Sequence, residues 1–293
     1  MPLPLESVPN ISEGRDDDIL EALRAAMSNP ARLLDVHVDA DHHRSVFTLA
    51  GARELLVDSL LAGIARAVEL VDLRSHDGVH PRVGAADVVP LVPLVPEDME
   101  EAKTAAISVA DRVAAELGLP VFLYGEVGGG RRPAFFRRGG LGELQRRIAA
   151  GELEPDAGPR TLDARAGAVL VGARRPLVAY NIDLATDDVG IAREIAAVVR
   201  ESGGGMPGIQ AIGLYLPRSR RVQVSMNVVD LERSPLHEVV GRVVAESAAR
   251  GVAVRGGELV GLVPERALAA AASAGAVLPG IDETRVLERA LRL

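Results

Sequence analysis

A short polar segment, residues 74–84, brings together the residue types that proton transfer and anion binding require. An imidazole titrates near neutral pH, so a histidine can accept a proton in one step and return it in the next. His80 precedes Pro81, which disfavours helical backbone at His80 and predicts that the ring projects from an extended loop. Arg82 lies two positions further on and is expected on the same side, where its guanidinium suits a carboxylate. From the loop alone, His80 is either a general acid and base or a structural histidine, and His76 is expected at the surface or behind the site.

A second group of histidines and carboxylates occupies residues 37–44. If the strand predicted there continued through the whole segment, four side chains would share one face: His37, Asp39, Asp41 and His43. Histidine and carboxylate side chains also bind zinc, so three interpretations remain open: a metal site, a polar wall of a substrate pocket, and a solvated turn. A metal hydrolase built here would retain stoichiometric zinc or manganese after purification. Arg44, at the end of the segment, is a candidate fork for a substrate carboxylate.

Residues 151–175 are rich in glycine, proline, aspartate and arginine and show little periodicity, so they are predicted to link two domains. Within this segment, Arg160 and Arg165 lie close to glycines. The segment is therefore either a flexible tether or a contact for an anionic ligand in a crevice between the domains. Loops of this length in compact domains are often functional.

The composition limits the classes of protein to which the chain can belong. Its 293 residues predict about two domains, at roughly 150 residues each. The formal net charge is −8, from 33 basic and 41 acidic residues, and no Lys/Arg run is long enough to follow a phosphate backbone, so nucleic acid is not an expected partner. No apolar run is long enough to cross a bilayer and no cationic leader is recognisable, so we expect a cytoplasmic protein that does not bind membranes. The absence of Cys excludes thiolate nucleophiles and Cys-based metal sites.

Hydrophobic periodicity predicts the elements that position these groups. In the N-terminal half they are strand Leu5–Ile11, helix Asp16–Ser28, strands Leu33–Val38 and Ser45–Ala50, helix Glu54–Leu70, strand Val88–Val95, helix Met99–Leu117 and strand Val121–Gly125. In the C-terminal half they are strand Leu177–Leu184, helix Val189–Ser202, strands Ala211–Leu216 and Arg221–Val229, helix Pro235–Arg250 and strand Glu258–Val263. Each half contains the series β-α-β-β-α-β. This predicts an α/β (α+β) fold of two ferredoxin-like subdomains related by duplication, residues 1–176 and 177–293, each with helices on one face of an antiparallel sheet.

Several short motifs follow one another along nearly the whole chain. In the N-terminal half they are Val8-Pro9-Asn10-Ile11-Ser12-Glu13-Gly14, Arg44-Ser45-Val46-Phe47, His80-Pro81-Arg82-Val83-Gly84 and Tyr124-Gly125-Glu126. Further along they are Gly158-Pro159, Gly172-Ala173-Arg174, Ala179-Tyr180-Asn181-Ile182, Gln223-Val224-Ser225-Met226-Asn227 and Glu258-Leu259-Val260-Gly261-Leu262-Val263-Pro264. In this order they resemble the formiminotransferase domain of glutamate formiminotransferases. The family fold, two α/β subdomains of ferredoxin-like type, agrees with the duplication predicted from the periodicity.

The resemblance implies a reaction and a set of site residues. In this family the formimino group of N-formiminoglutamate moves to N5 of tetrahydrofolate with release of glutamate, a step that links histidine degradation to one-carbon metabolism. The histidine of the His-Pro-Arg-x-Gly motif transfers the proton, which makes His80 the expected catalytic residue. The expected substrate-binding residues are Asp39, His43, Arg44, Arg82 and Gly84. The arginines would bind substrate carboxylates, and Asp39 or His43 would orient the amidine or His80.

Tetrahydrofolate is the expected co-substrate, and the family binds it between the subdomains. The residues that match this part of the family are Gly158, Pro159, Arg160, Thr161, Leu162, Asp163, Ala164, Arg165, Ala166 and Gly167. No metal is expected. The resemblance also implies a homodimer and, since some relatives carry a cyclodeaminase domain, a separate cyclodeaminase as a partner.

Two departures from the family pattern leave alternatives open. His43 stands where the family often has Asn, and residues 162–166 contain neither the aromatic residue nor the His-Pro of bacterial members. Asp163 adds a carboxylate to a segment expected to bind an anionic ligand, unless Arg160 and Arg165 offset it. The alternatives are a protein that binds folate or another anionic metabolite without turnover, and a transferase that uses a different donor such as N-formylglutamate.

Overall fold

The structure is a computed structural model that describes residues 5–292. The chain divides into two compact units, Met1–Arg175 and Pro176–Leu293. The predicted domain ranges also include residues 1–4 and 293, which lie outside the described part. Across residues 5–292, no helix has both the length and the apolar character needed to cross a bilayer.

Unit 1 is built around a seven-stranded sheet. Its strands are β1 (Leu5–Ser7), β2 (Asn10–Ile11), β3 (Arg32–Asp39), β4 (Arg44–Gly51), β5 (Ala86–Pro93), β6 (Val121–Gly125) and β7 (Val169–Ala173). Its helices are α1 (Asp17–Met27), α2 (Arg53–Leu70), α3 (Met99–Leu117), α4 (Pro133–Arg137) and α5 (Gly140–Ala149). β3 pairs with β4, and β1 and β2 both pair with β4 and β5, all antiparallel. β7, in contrast, lies parallel to both β5 and β6.

The local sequence explains where several of these elements begin and end. The predicted N-terminal strand is interrupted at residues 8–9, because Pro9 has no N–H to donate; its carbonyl accepts the Phe47 N–H at 3.0 Å. α1 begins after Asp16, whose carboxylate accepts two backbone N–H groups of the first turn. α3 has the predicted bounds and ends at Gly118, which adopts the left-handed conformation with φ +64°.

An apolar core joins the sheet of unit 1 to α1, α2 and α3. Leu56, Leu60 and Ile64 are fully buried at helical spacing on α2 and belong to the same core as Phe47 and Leu49 of β4. The buried residues of α3 are alanines and valines, so this helix can approach the sheet closely. The core thus fixes β4 and β5, the two strands whose ends carry much of the candidate site.

The prediction that residues 151–175 link two domains is wrong. All five residues of β7 are buried, and β7 lies between β5 and β6 in the sheet. The preceding residues also belong to unit 1, because the Val121 N–H donates to the Ala157 carbonyl at 2.9 Å. Glycine and proline correctly indicated turns, but these turns pack against the sheet instead of separating two domains.

Two helices that the periodicity did not predict, α4 and α5, form a second core in unit 1. Successive strand residues point to opposite faces, so Val121 belongs to the first core and Phe122 to the second. Phe122 is buried there with Phe136 of α4 and Leu144 of α5. This packing places α4, and with it Arg137, next to the start of β5.

Unit 2 is built around a four-stranded antiparallel sheet with the order β11-β8-β10-β9. Its strands are β8 (Val178–Leu184), β9 (Ile209–Leu216), β10 (Arg221–Val228) and β11 (Val254–Val260), and its helices are α6 (Val189–Val199), α7 (Leu236–Ala249), α8 (Glu265–Ser273) and α9 (Leu287–Arg292). Tyr180 and Ile182 of β8 share its core with Ile195 of α6 and Val239 of α7.

The end of unit 2 departs from the predicted pattern. β11 begins at Val254, ahead of the predicted start at Glu258, because Gly256 and Gly257 conceal the alternation of apolar residues. A side chain at Gly257 would meet the Tyr180 hydroxyl, so this strand needs a glycine to pass the ring. α8 and α9 were not predicted.

Candidate active site

The loop between α2 and β5, residues 71–85, carries His80 and is fixed to three other parts of unit 1. The Val79 N–H donates to the Asp41 carbonyl at 3.2 Å, and the Ser12 hydroxyl donates to the Gly84 carbonyl at 2.8 Å. The Val83 N–H donates to the carboxylate of Asp87 at 2.8 Å. The loop is therefore hydrogen-bonded to the hairpin turn between β3 and β4, to the residue that follows β2 and to the start of β5.

The imidazole of His80 is half-buried and surrounded by positive charge. Its Nδ1 lies 2.7 Å from Nη1 of Arg44 and 2.8 Å from the Pro81 carbonyl, and its ring centre lies 5.8 Å from that of His42. Burial, followed by the charges of Arg44 and Arg137, holds the pKa of His80 well below the ordinary 6.5. His80 is therefore neutral at pH 7, as a proton acceptor must be.

Arg44 contacts His80 and also the side chains of Asn10 and Asp87. Its Nε and Nη2 donate to the side-chain oxygen of Asn10 at 2.8 and 2.5 Å, and Nη1 lies 3.5 Å from Asp87. Burial, followed by the charge of Arg137, lowers the pKa of Arg44 to about 9, so the guanidinium stays charged at neutral pH. Its N–H groups are directed at protein acceptors, which fixes the guanidinium beside His80.

Asp87 is the buried carboxylate at the centre of this cluster, with 1% of its surface exposed. One oxygen accepts the Val83 N–H, and the other forms ion pairs with Arg137 and Arg44. Arg82 also feels this carboxylate: burial lowers the pKa of Arg82 to about 10, and the charge of Asp87 opposes this shift. Two arginines thus pair with one buried carboxylate and a third feels its charge, and the excess positive charge favours binding of an anion.

Three of these residues received no predicted role. Asn10 is part of one of the sequence motifs, but no individual role was predicted for it. Asp87 had a recognisable signal, since it is a single carboxylate next to an apolar strand. Arg137 had none, because it is one of four arginines in residues 131–138 and only the packing of α4 distinguishes it.

Arg82 contacts both the loop that carries His80 and the hairpin turn between β3 and β4. Its Nη2 donates to the carbonyls of His42 and His80 at 3.0 and 2.5 Å, and its Nη1 contacts the ring of His76. The ring of His76 stacks on that of His43, with centres 4.0 Å apart. His76 therefore lies behind the site, one of the two places expected for it.

The hairpin turn between β3 and β4 corrects one expectation about residues 37–44. β3 ends at Asp39, so Asp41 and His43 lie in the turn and do not continue the strand face of His37 and Asp39. The Asp39 carboxylate accepts the His42 N–H at 2.7 Å and stabilises the turn. Asp41 and His42 are buried, which excludes the solvated turn.

His43 has a left-handed backbone, with φ +49°. Its Nδ1 accepts the Gly14 N–H at 3.2 Å and lies 3.4 Å from Glu13. Burial lowers the pKa of His43, and the Glu13 carboxylate opposes this shift. The ring is thus held by Glu13 and Gly14, which follow β2, and by the stacked ring of His76.

Two glycines of the loop are required by close backbone approaches. A side chain at Gly84 would meet the Ala168 carbonyl, and one at Gly78 would meet the His42 carbonyl. Gly84 therefore contributes to the site by having no side chain, which allows the loop to lie close to Ala168. Residues 158–167, the predicted folate segment, also approach the loop at Gly84.

Residues 158–167, the predicted folate segment, run beside the His80 loop in unit 1. The Ala85 N–H donates to the Ala166 carbonyl at 2.8 Å, and the Ala168 N–H donates to the Val83 carbonyl at 2.9 Å. These bonds make a short antiparallel bridge between Gly84 and Gly167. Two segments about eighty residues apart in the chain are thereby brought together.

The charged residues of the folate segment are engaged locally. The Asp163 carboxylate accepts the N–H groups of Arg165 and Ala166 at 2.7 and 2.8 Å, so it caps its own turn. Arg165 contacts the Glu69 carbonyl, and Arg160 pairs with Glu154 at 2.8 Å on the exposed surface. The added carboxylate is therefore held within its own turn by two backbone donors.

Comparison with known proteins identifies the family of the chain. The chain matches the formiminotransferase domain, N-terminal subdomain, over residues 4–174, and the formiminotransferase domain over residues 179–275. It is 38% identical to the glutamate formimidoyltransferase of Thermoplasma acidophilum, over 97% of this chain and 96% of that protein. It is 39% identical to the glutamate formimidoyltransferase of Streptococcus pyogenes, over 90% of each chain.

A longer relative, the formimidoyltransferase-cyclodeaminase of Gallus gallus, is 40% identical over 92% of this chain and 51% of its own length. The two matched regions together cover nearly the whole sequence, and each coincides with one compact unit. The chain belongs to the formiminotransferase family.

Proposed function

We propose that this chain is a folate-dependent transferase that moves the formimino group of N-formiminoglutamate to N5 of tetrahydrofolate, giving 5-formiminotetrahydrofolate and glutamate. The observation that carries the proposal is the contact of a neutral His80 with Arg44 inside a cluster of three arginines. Two relatives named glutamate formimidoyltransferase, which the chain matches over nine-tenths or more of its length, support it.

His80 performs both proton transfers of this reaction. The N5 lone pair attacks the amidine carbon, and the N5 proton passes to the imidazole. The tetrahedral intermediate then collapses, the bond between carbon and the glutamate nitrogen breaks, and His80 returns the proton to that nitrogen. The depressed pKa of His80 suits this cycle, because the ring starts neutral and releases the proton readily.

The positive cluster binds the carboxylates of the formiminoglutamate donor. Arg82 and Arg44 contribute the charge, together with Arg137, which the sequence did not single out. Asp39 or His43, which border the same turn, orients the amidine or His80, and Gly84 allows the loop to lie close to Ala168. Catalysis then comes mainly from positioning the two reactants, with His80 as the proton carrier.

Tetrahydrofolate, the co-substrate, binds along residues 158–167. The bridge between Gly84 and Gly167 supports this assignment, because it connects the folate segment directly to the loop of His80. We further propose a cytoplasmic homodimer whose product passes to a separate cyclodeaminase, the second activity in the names of the longer relatives.

We also propose that the two units are ferredoxin-like folds that arose by duplication. In unit 2, β-α-β-β-α-β elements give the strand order β11-β8-β10-β9. In unit 1, the first strand is split into β1 and β2, and it lies between β4 and β5, with β3 outside β4. The two orders correspond once β6 and β7 are treated as an extension of unit 1.

The direct test is formation of 5-formiminotetrahydrofolate from formiminoglutamate and tetrahydrofolate. Wild type should turn over, and His80→Ala and His80→Asn should each lose about 10²–10⁴-fold in kcat. His237→Ala, on α7 of unit 2, is the matched control and should keep wild-type activity. Unchanged turnover in both His80 variants would reject the proton-transfer role.

Two other outcomes would replace the proposed reaction. Tight folate binding by wild type and His80→Ala alike, with no turnover in either, would indicate a binding protein. Turnover with N-formylglutamate in place of formiminoglutamate would keep the transferase and change its donor.

A further inference from the structure

Nδ1 of His80 has two neighbours that require opposite protonation states. Nη1 of Arg44, at 2.7 Å, can only donate a hydrogen bond, whereas the Pro81 carbonyl, at 2.8 Å, can only accept one. A neutral imidazole nitrogen either accepts or donates, so one tautomer of His80 satisfies Arg44 and the other satisfies Pro81.

The surroundings favour the contact with Arg44. Its guanidinium remains charged at neutral pH, and a charged donor makes a stronger hydrogen bond than a neutral ring N–H does to a carbonyl. Asn10 holds two other N–H groups of the same guanidinium at 2.8 and 2.5 Å, so Nη1 is aimed at His80. In the free protein, Nδ1 therefore accepts from Arg44 and the ring proton lies on Nε2.

This tautomer can donate a hydrogen bond from Nε2 but cannot accept a proton there. The proposed reaction needs the base first, because N5 of tetrahydrofolate must lose its proton before glutamate leaves. A second acceptor for Arg44 is already in place, since Asp87 lies 3.5 Å from the same Nη1. Asp87 also pairs with Arg137. A substrate carboxylate that attracts Arg137 would therefore make Asp87 available as the acceptor for Arg44.

We propose that Arg44 is a positioning residue that holds His80 in its Nε2–H tautomer, and that transfer of Nη1 from His80 to Asp87 converts His80 into a base. As Nη1 leaves, Nδ1 takes a proton from water and the new Nδ1–H donates a hydrogen bond to the Pro81 carbonyl, while the Nε2 proton passes to water. The number of protons on the ring is unchanged, and Nε2 gains the lone pair that accepts the N5 proton. This inference rests on the proposed function for the identity of the reaction, but the tautomer itself is a property of the free protein.

The charged and titratable side chains that act on His80 come from several elements. They are Arg44 of β4, Arg137 of α4 and His42 of the hairpin turn. Of these three side chains, Arg44 is the one that contacts Nδ1, so substitution of Arg44 should move the ring proton, whereas substitution of a distant arginine should not.

Nitrogen NMR of protein labelled in histidine tests the tautomer without any substrate. The signals of His80 are assigned from their absence in His80→Gln. Wild type should show Nδ1 unprotonated and Nε2 protonated, and Arg44→Gln should show the reverse, because Pro81 then becomes the partner of Nδ1. Arg53→Gln, on the exposed side of α2, is the matched control and should leave the spectrum unchanged. Protonated Nδ1 in wild type, or the same tautomer in wild type and Arg44→Gln, would overturn the proposal.

A second variant protects the test against misfolding. Asn10→Ala keeps the guanidinium of Arg44 but removes the amide that aims it, so it should show a mixture of the two tautomers. The signals of the other five histidines report whether each variant keeps the fold.

Kinetics separate a positioning residue from a substrate fork. Arg44→Gln should lower kcat by about tenfold or more, with a smaller change in the KM for formiminoglutamate. A raised KM with unchanged kcat would show that Arg44 binds substrate and would reject the positioning role. Since the NMR result needs no turnover, failure of the tautomer proposal is distinguishable from failure of the proposed reaction.

Discussion

Each unit of this protein contains a hairpin whose turn ends at a residue with positive φ, but the two turns differ in how far their residues are buried. The turn between β3 and β4 is residues 40–43, and the turn between β9 and β10 is residues 217–220. The last residue of each turn has a positive φ, 49° at His43 and 52° at Arg220. In unit 1, Asp41 and His42 are buried against the loop, whereas residues 217–220 are all exposed.

The connections from the second long helix to the next strand differ in the same way. In unit 1, residues 71–85 join α2 to β5 and carry the candidate catalytic loop. In unit 2, residues 250–253 join α7 to β11, and the Val252 N–H simply closes the turn on the Ser247 carbonyl at 3.0 Å. The connection in unit 1 is therefore the longer of the two, and it contributes the groups of the candidate site.

The charged clusters of the two units also differ in composition. In unit 1, Arg44 and Arg137 pair with Asp87, and the charge of Asp87 also acts on Arg82. In unit 2, Asp183 accepts hydrogen bonds from Arg221 and Gln223, and Gln223 also reaches Glu258 at 3.4 Å. The first cluster has an excess of cations and attracts an anion, whereas in the second a carboxylate pairs with a partly exposed arginine and with a glutamine.

The largest expected effect comes from Asp87→Asn. It leaves the buried charges of Arg44 and Arg137 without their carboxylate, which should cost about 3–5 kcal/mol of unfolding free energy and most of the activity. Asp183→Asn is the matched control, and it should cost less stability because Arg221 is partly exposed, with little loss of turnover. Urea unfolding and the transfer assay measure both. Equal loss of activity in the two variants would break the contrast between the units.

A smaller effect is expected at the two turns. Glycine tolerates the positive φ of both positions, so His43→Gly and Arg220→Gly remove only a side chain. His43→Gly loses the hydrogen bond with Gly14 and the stack on His76, which should lower kcat/KM by about tenfold. Arg220→Gly should leave kcat/KM and the unfolding midpoint nearly unchanged. A similar drop in both variants would mean that the turn of unit 2 also contributes to the site.

The smallest effect is a shift in pH dependence. The pKa of His80 lies below 6.5 in the folded protein, so the neutral form needed as a base persists below that pH. The acidic limb of kcat/KM should accordingly lie below pH 6.5. Arg137→Gln removes a cation, raises the pKa of His80 and should move this limb to higher pH, whereas Arg53→Gln should not. A limb that stays in place in Arg137→Gln would contradict the charge contribution of Arg137.

Local sequence was sufficient for the elements with long, regular patterns. The predicted bounds of α3 and β6 match the structure, and those of α2 differ by one residue, because apolar periodicity and end signals agree there. Residues 151–175 were misassigned because β7 is short, buried and preceded by turn residues. The strand at Glu258–Val263 was shifted because its glycines carry no side-chain pattern.

The sequence by itself determined the chemistry that is available: the His80-Pro81-Arg82 loop, the family to which the motifs belong, and the two repeated series of elements. Only the tertiary structure decided which groups meet. Arg137 reaches Asp87 across fifty residues, and Ala166 pairs with Ala85 across eighty-one. Such contacts depend on the parallel placement of β7 beside β5 and on the packing of α4, which are sums of many weak long-range interactions and leave no periodic signal in the chain.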